Sequence, residues 1–387
     1  MTGNDLRLSV IDIGWPGHIP ILSSELDRLG YYRFWATEHH QEYQSASPVV
    51  MAAIVASRTK RLRVGTAGIL INYQSPLKIA EDFSLLEYFF PGRIDLGIVS
   101  ASASQHVNAS LLDGRDNPTQ DTFAIKARLL ADYLKRGRTA PDPQSGHRFQ
   151  FGCEASPKFW ICGHGQRSAV LAGQLGAHYS FHHYLFSNDP DRNQEGREIV
   201  EAYVSSFVPS RYLRAPEFNV AVYGLCMEDD ETASDRWSAR LPNLRPSFLG
   251  SPERCRKDLI DIRDTYGASE LVIQCITPFV SEKVKAYRMI AETFGLSDGA
   301  PLGNEHSRIV ASPEIRVDSG KKKTYGISFK GETFTLNQTF GDILKYLLNR
   351  PPVSFTDLYS TFNSEISEEK LAEFIDLLVT QGMVEIF

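Results

Sequence analysis

The sequence predicts a (β/α)₈ barrel of parallel strands followed by a small C-terminal α+β domain of winged-helix-like layout. Three observations carry that reading. Eight short, β-branched apolar runs alternate with helical patterns over most of the 387 residues. The runs are close to continuously apolar, as strands are when helices cover both faces of the sheet. Beyond about residue 300 the pattern changes to alternating strands and short helices.

LRLSVIDI (6–13) opens the series, and the helical pattern behind it ends at Leu29-Gly30. RFWATEHH (33–40), RLRVGTAGIL (61–70), RIDLGIVS (93–100), KFWICGHG (158–165), HYSFHHYL (178–185), NVAVYGLCM (219–227) and ELVIQCI (270–276) complete the eight. Helical patterns lie between most of them, as at 77–90, 122–137 and 167–176. Eight βα units in a span of this size match a barrel, whereas a doubly wound sheet has fewer strands. The expected division is a barrel over 1–304, a linker over 305–325 and a winged-helix-like domain over 326–387.

In that last domain, SPEIRVDSGKKKTYG (312–326) is polar and basic and reads as a linker or entry strand. ISFKGETFTLN (327–337) alternates around Lys330-Gly331, a hairpin signal. Helical patterns follow at 339–349, at 354–362 after Pro351-Pro352, and at 368–382 with Ser367 as N-cap and Gly382 as stop. MVEIF is a closing strand. Residues 321–387 carry seven Lys and Arg against nine Asp and Glu. A wing that reads DNA is basic, so this one is expected to bind a peptide or a protein.

Composition bounds the rest. With 42% hydrophobic and 23% charged residues the chain reads as a soluble globular protein. A net charge of −6 and a pI of about 6.0 argue against general affinity for nucleic acid or an anionic membrane. No apolar run approaches the roughly 18 residues of a membrane span. MTGNDLRLSV lacks the regions of a signal peptide. The five cysteines are scattered and none is spaced as CxxC, so reduced thiols and a cytoplasmic location are expected.

Barrel enzymes place their chemistry at the C-terminal ends of the strands. Glu38, His39 and His40 stand at such an end, where a buried strand gives way to loop. A single imidazole there is often a loop cap; three polar residues together favour function. A metal site is not expected, because the triplet lacks the helical i, i+4 pairing of HExxH. His182, His183 and Tyr184 end the sixth strand and are candidates for the substrate pocket together with His40. In KFWICGHGQRSAV a strand, glycines and a helix start follow one another, the order of an anion cradle. Gly163, His164, Gly165, Gln166, Arg167 and Ser168 are its candidate residues, the alternative being an ordinary strand-to-helix turn.

RFWATEHH, joined to RVGTAGILINYQSPLKIAEDFSLLEYFFPGRIDLGIVSAS (63–103), resembles the bacterial luciferase-like flavin monooxygenases. In that family a strand ending in Glu-His-His precedes a Val-Gly-Thr strand, a Ser-Pro-Leu helix start and a Pro-Gly-Arg-Ile-Asp-Leu-Gly strand. WICGHGQRSAVLAGQLGAHYSF (160–181) is similar to the fifth strand and helix, and FLGSPERCRKDLIDI (248–262) with SELVIQCI (269–276) to the C-terminal signature. The similarity spans roughly residues 6–297, and the last eighty or so residues lie outside it.

The resemblance implies a (β/α)₈ barrel, reduced FMN and dioxygen as reactants, usually a dimer, and in some relatives a deazaflavin that transfers hydride. It also implies a flavin ring against the end of the third strand, across a non-proline cis bond joining Ala67 and Gly68. His39 then hydrogen-bonds and delivers protons near the flavin, an imidazole being suited to proton traffic near neutral pH. Glu38, the other catalytic candidate, alternates to the opposite side and orients loops.

Two departures stand out. Ser100 and Ser102 replace an arginine common after the fourth strand, leaving the phosphate charge to Arg167, and the first loop, GWPGHIP (14–20), is short, suggesting an open pocket for a large substrate. The expected activity is FMN-dependent monooxygenation of a peptide or carrier-bound intermediate delivered by residues 326–387. A separate flavin reductase would supply the cofactor, since no GxGxxG fingerprint is present. A deazaflavin-dependent reductase and a non-catalytic flavin-binding subunit are the alternatives.

Overall fold

The computed structural model describes the chain apart from residues 1–5, 15, 41–43, 102, 113–116, 137–155, 184–191, 211–212, 297–307, 312–315, 320–323, 330–331, 349–352, 363, 368–369, 372–373, 376–377, 379–383 and 387. It divides into two compact units, Met1–Pro278 with Val284–Gly299, and Phe279–Lys283 with Ala300–Phe387.

The first unit alternates strands and helices. In order they are β1 (Arg7–Asp12), α1 (Ile19–Arg28), β2 (Arg33–Ala36), α2 (Pro48–Arg58), β3 (Arg63–Thr66), β4 (Ile69–Leu70), α3 (Pro76–Phe89), β5 (Ile94–Val99), α4 (Gln105–Leu112) and α5 (Gln120–Arg136). They continue as β6 (Lys158–Gly163), α6 (Gln166–Leu175), β7 (His178–His182), α7 (Arg192–Ser205), β8 (Phe218–Cys226), α8 (Asp230–Arg240), β9 (Phe248–Gly250), α9 (Pro252–Tyr266), β10 (Glu270–Cys275) and α10 (Val280–Phe294). β1, β2, β3, β5, β6, β7, β8 and β10 pair in parallel, and β10 pairs with both β8 and β1, which closes an eight-stranded barrel. All eight expected strands are present. The run expected over 61–70 is split into β3 and β4, which resumes pairing with the end of β5 after β3 stops, and a short strand that was not foreseen, β9, adds to the end of β8.

Alternation sorts each strand's side chains. On β2, Phe34 and Ala36 join the outer core against the helices, while Trp35 points into the lumen with Ile11, Ala67, Trp160, Cys162, Ala221 and Val272. Trp35 and Trp160 meet edge to face at 5.3 Å. Where β3 and β5 run closest, Thr66 Oγ1 accepts from Gly97 N and donates to its carbonyl, and a Cβ at position 97 would run into the Thr66 carbonyl oxygen.

The barrel floor is a buried ion network that sequence reading missed. Arg33, 1% exposed, donates from Nε to Asp95 Oδ2 (2.9 Å) and from Nη1 to both oxygens of Glu270 (2.6 and 2.8 Å). Arg63 adds a two-point bond to Asp95, Trp160 Nε1 donates to Asp95 Oδ1 (3.2 Å), and Ser9 donates to Glu270 (2.6 Å). Burial raises the carboxyl of Asp95, but the two guanidinium groups outweigh it and leave the pKa below the usual range.

The second unit has two three-stranded sheets. One is β11 (Arg308–Ala311) between β15 (Val353–Ser354) and β16 (Val384–Ile386); the other is β12 (Arg316–Ser319), β13 (Thr324–Phe329) and β14 (Glu332–Asn337). β13 and β14 are antiparallel with Phe329 opposite Glu332, so they form the expected hairpin. α11 (Gln338–Leu348) and α12 (Phe355–Phe362) supply Ile343, Leu344, Leu347 and Leu358 to an apolar cluster that also holds Leu371, Phe374 and Ile375. The stretch 305–325, read as a linker, contains β11 and β12 among its described residues. The helical pattern at 368–382 lies largely outside the described residues. Among the described residues no helix is long and apolar enough to cross a membrane, and Cys162, Cys226, Cys255 and Cys275 are buried and not in disulfides.

Candidate active site

β2 ends at Ala36, so Thr37 to His40 form the loop that leaves the barrel mouth. His39 is half-buried, and its backbone N–H donates to the Ser45 carbonyl (2.8 Å), which ties the loop back on itself. Burial, and then the neighbouring His40, lower its pKa below 6.5. His39 is therefore neutral at physiological pH, with one ring nitrogen able to donate and the other to accept.

Glu38 is 5% exposed and holds the loop after β3. Its Oε2 accepts from Leu70 N (2.9 Å), Gln74 Nε2 lies 3.1 Å from Oε2, and His40 Nε2 is 3.1 Å from Oε1. With these bonds the carboxylate is engaged in positioning the loop. The loop it grips carries Ala67 and Gly68, whose peptide bond is cis. Both residues are buried, and a Cβ at Gly68 would meet the backbone of Ile98 at 2.9 Å and of Val99 at 3.1 Å. Ser100 is half-buried just past the end of β5.

The turn from β6 into α6 has the form of an anion cradle. Gly165 is the N-cap of α6 in extended conformation, with no side-chain cap on the first-turn N–H groups. α3, α8 and α9 are capped by Ser75, Asp229 and Ser251, whereas α1 and α2, like α6, have no side-chain cap and, unlike it, carry a proline in the first turn. Nothing lies within 4 Å of a Cβ built on Gly165, so the backbone there faces open space. Gln166 and Arg167 are exposed beside it and line a groove of about 490 Å³ together with Asp121 and Arg128 of α5. Two expectations change in detail. The space above Gly163 is filled by the Ser168 side chain, so that glycine admits a neighbour within the chain. Ser168 Oγ donates to the Gly165 carbonyl (2.7 Å) and lies 3.3 Å from Tyr179 OH, so it closes the turn. These donors suit a phosphate, which an uncapped helix N-terminus binds through its N–H groups.

The adjacent histidines at the end of β7 part company. His182 shares the lumen side with His178, whose ring stacks on Trp160 at 4.5 Å. It is buried, and desolvation, with the nearby His164, pushes its pKa down to about 3, so it stays neutral. His183 points the other way, against Phe181 and Tyr266 at ring distances of 6.2 and 5.6 Å. It belongs to the strand–helix interface and not to the mouth. Tyr184 lies outside the described residues, as do Trp15 of the first loop and Ser102.

Comparison with known proteins agrees with this geometry. Residues 17–268 match the family model for luciferase-like monooxygenases. The uncharacterized protein YwcH of Bacillus subtilis is 29% identical over 316 residues, 70% of this chain and 91% of that one. The crystal structure of apo-MsnO8 superposes with a TM-score of 0.66 at 28% identity, over 76% of this chain and all of that one. The oxygenating constituent of 3,6-diketocamphane monooxygenase from Pseudomonas putida, solved with FMN, shares the fold at TM-score 0.59 and 15% identity over 76% of this chain and all of that one. An F420-dependent secondary alcohol dehydrogenase shares it at 0.54 and 12%, over 74% of this chain and 98% of that one. With its closed parallel barrel, its Glu-His-His rim and a model match over well over half its length, this chain belongs to the luciferase-like monooxygenase family and is an oxidoreductase.

Proposed function

We propose that this protein is a monooxygenase that uses reduced FMN and dioxygen to oxygenate a peptide or carrier-bound substrate. The observation that carries the cofactor assignment is the uncapped N-terminus of α6 at the barrel mouth, on the same rim as a histidine that its surroundings keep neutral. Bound reduced FMN supplies two electrons to dioxygen; one oxygen atom enters the substrate, the other leaves as water, and FMN is released oxidised. Gly165, Gln166 and Arg167 hold the phosphate. Ala67, Gly68 and Ser100 would border the flavin ring. His39 holds or moves the proton at the reacting centre, and His182 and His40 flank the substrate. A separate flavin reductase provides the reduced cofactor.

The C-terminal unit carries a groove of about 600 Å³ lined by Asn337, Thr339, Phe340, Glu365, Ile366, Lys370 and Phe374. An apolar floor with a polar rim suits a peptide segment, and the acidic balance of residues 321–387 disfavours DNA. Residues 326–387 then act as a winged-helix-like module that brings the substrate to the mouth. Deleting 312–387 raises the KM for that substrate and leaves FMN binding intact; turnover that survives unchanged removes delivery from the account. A homodimer would cover the exposed apolar side chains of α2, α3 and α5: Val50, Leu85, Tyr88, Phe89, Ile125 and Leu129.

The second reading is a deazaflavin-dependent reductase, supported by the F420-dependent neighbour and by a phosphate cradle that serves either cofactor. Oxygen separates them. Turnover with isotopically labelled dioxygen puts the label into product if the enzyme is a monooxygenase. Unlabelled product formed equally well without oxygen means hydride transfer.

A further inference from the structure

The loop that follows β3 is gripped from two sides, and only one of the two grips was visible in the sequence. On one side Glu38 takes the Leu70 N–H and the Gln74 side-chain amide. On the other, Lys126 reaches from α5 and donates from Nζ to the carbonyl oxygens of Ile71 (3.2 Å), Asn72 (2.8 Å) and Gln74 (2.8 Å). An ammonium has three N–H donors and no acceptor, so three converging carbonyls are a full complement for it. Ile71, Asn72 and Tyr73 are at most 7% exposed, so their backbone groups have little access to water. Lys126 is half-buried and leans inward beside Phe123, Ala127 and Leu130, which face the core.

We propose that Lys126 is a positioning residue for cofactor binding: together with Glu38 it clamps residues 69–74 and thereby fixes the Ala67–Gly68 wall of the ring site. A carboxylate on the N–H side and an ammonium on the carbonyl side hold the loop by opposite charges, and charge-assisted bonds of this kind are the stronger ones. The Tyr73 hydroxyl adds a third tie: it donates to Asn108 Oδ1 (2.6 Å) on α4 and accepts from Ala103 N (3.0 Å). The clamp rests on the flavin reading for its purpose and on geometry alone for its existence, so the test has two arms.

In the first arm, amide hydrogen exchange is followed over residues 67–75 in the flavin-free full chain, for wild type, Lys126→Met and Lys126→Arg. The methionine keeps the stem and loses the donors. Exchange of the 70–74 amides should speed up about tenfold, equivalent to 1.4 kcal/mol, while β5 and β6 exchange as before. Arginine, which restores charge and donors, should recover most of the protection. Unchanged exchange in Lys126→Met, or faster exchange spread evenly over the barrel, overturns the clamp. The second arm is anaerobic binding of reduced FMN, where Lys126→Met should raise Kd about tenfold and Lys126→Arg should bind close to the wild type. Local loosening without loss of affinity overturns the positioning role. If the wild type binds no reduced FMN, the proposed function fails, and the exchange arm still decides the clamp.

Discussion

Replacing Arg33 by methionine removes the centre of the barrel floor, and the structure indicates which partner is left exposed to the consequence. Asp95 loses one bond and keeps Arg63 and the Trp160 N–H. Glu270 loses its two-point contact and, among the described residues, keeps the Ser9 hydroxyl at 2.6 Å and Asn219 Nδ2 at 3.4 Å. A carboxylate 1% exposed and without a cation is an uncompensated buried charge, which costs about 3–5 kcal/mol. Urea unfolding followed by tryptophan fluorescence at pH 8 should show a loss in that range. Adding Glu270→Gln should recover a large part of the loss at pH 8. A loss below about 1 kcal/mol, or no recovery in the double variant, would refute the reasoning.

Two further changes probe the mouth and the strand contacts. His39→Gln should lower turnover by about 10²–10⁴-fold, the usual worth of a positioned acid–base group. It should also abolish an acid limb that the wild type shows below pH 6.5, since the folded pKa is depressed; a limb that persists in the variant assigns it to another group. The same depression makes the stability contribution of His39 complete above pH 6.5 and lost as pH falls through the folded pKa. Gly97→Ala drives a Cβ into the Thr66 carbonyl oxygen, and overpacking of this kind costs about 1–3 kcal/mol; an unaltered urea midpoint would show that β3 and β5 can part freely.

What the sequence discloses follows from how local the signal is. The eight strands are legible because each is a self-contained apolar run, and the mouth is legible because Glu38, His39 and His40 are contiguous. The floor is not, since Arg33, Asp95 and Glu270 are single charges at strand starts, 62 and 237 positions apart in the chain. Lys126 looks like any lysine on an amphipathic helix until the loop 54 residues before it arrives. His183 could have been set apart by strand alternation alone, because neighbours on a strand point to opposite faces. For Ser168 no sequence signal separates a hydroxyl that meets a ligand from one that closes its own turn.

The central claim is that this barrel binds reduced FMN for reaction with dioxygen. The most direct test is anaerobic titration of the purified chain with reduced FMN and, separately, with reduced deazaflavin, followed by admission of oxygen. The account predicts saturable binding of reduced FMN, weakened by charge reversal at Arg167, and reoxidation of the bound flavin at a rate distinct from that of free flavin. Saturable binding of the deazaflavin alone, with no response to oxygen, would contradict it.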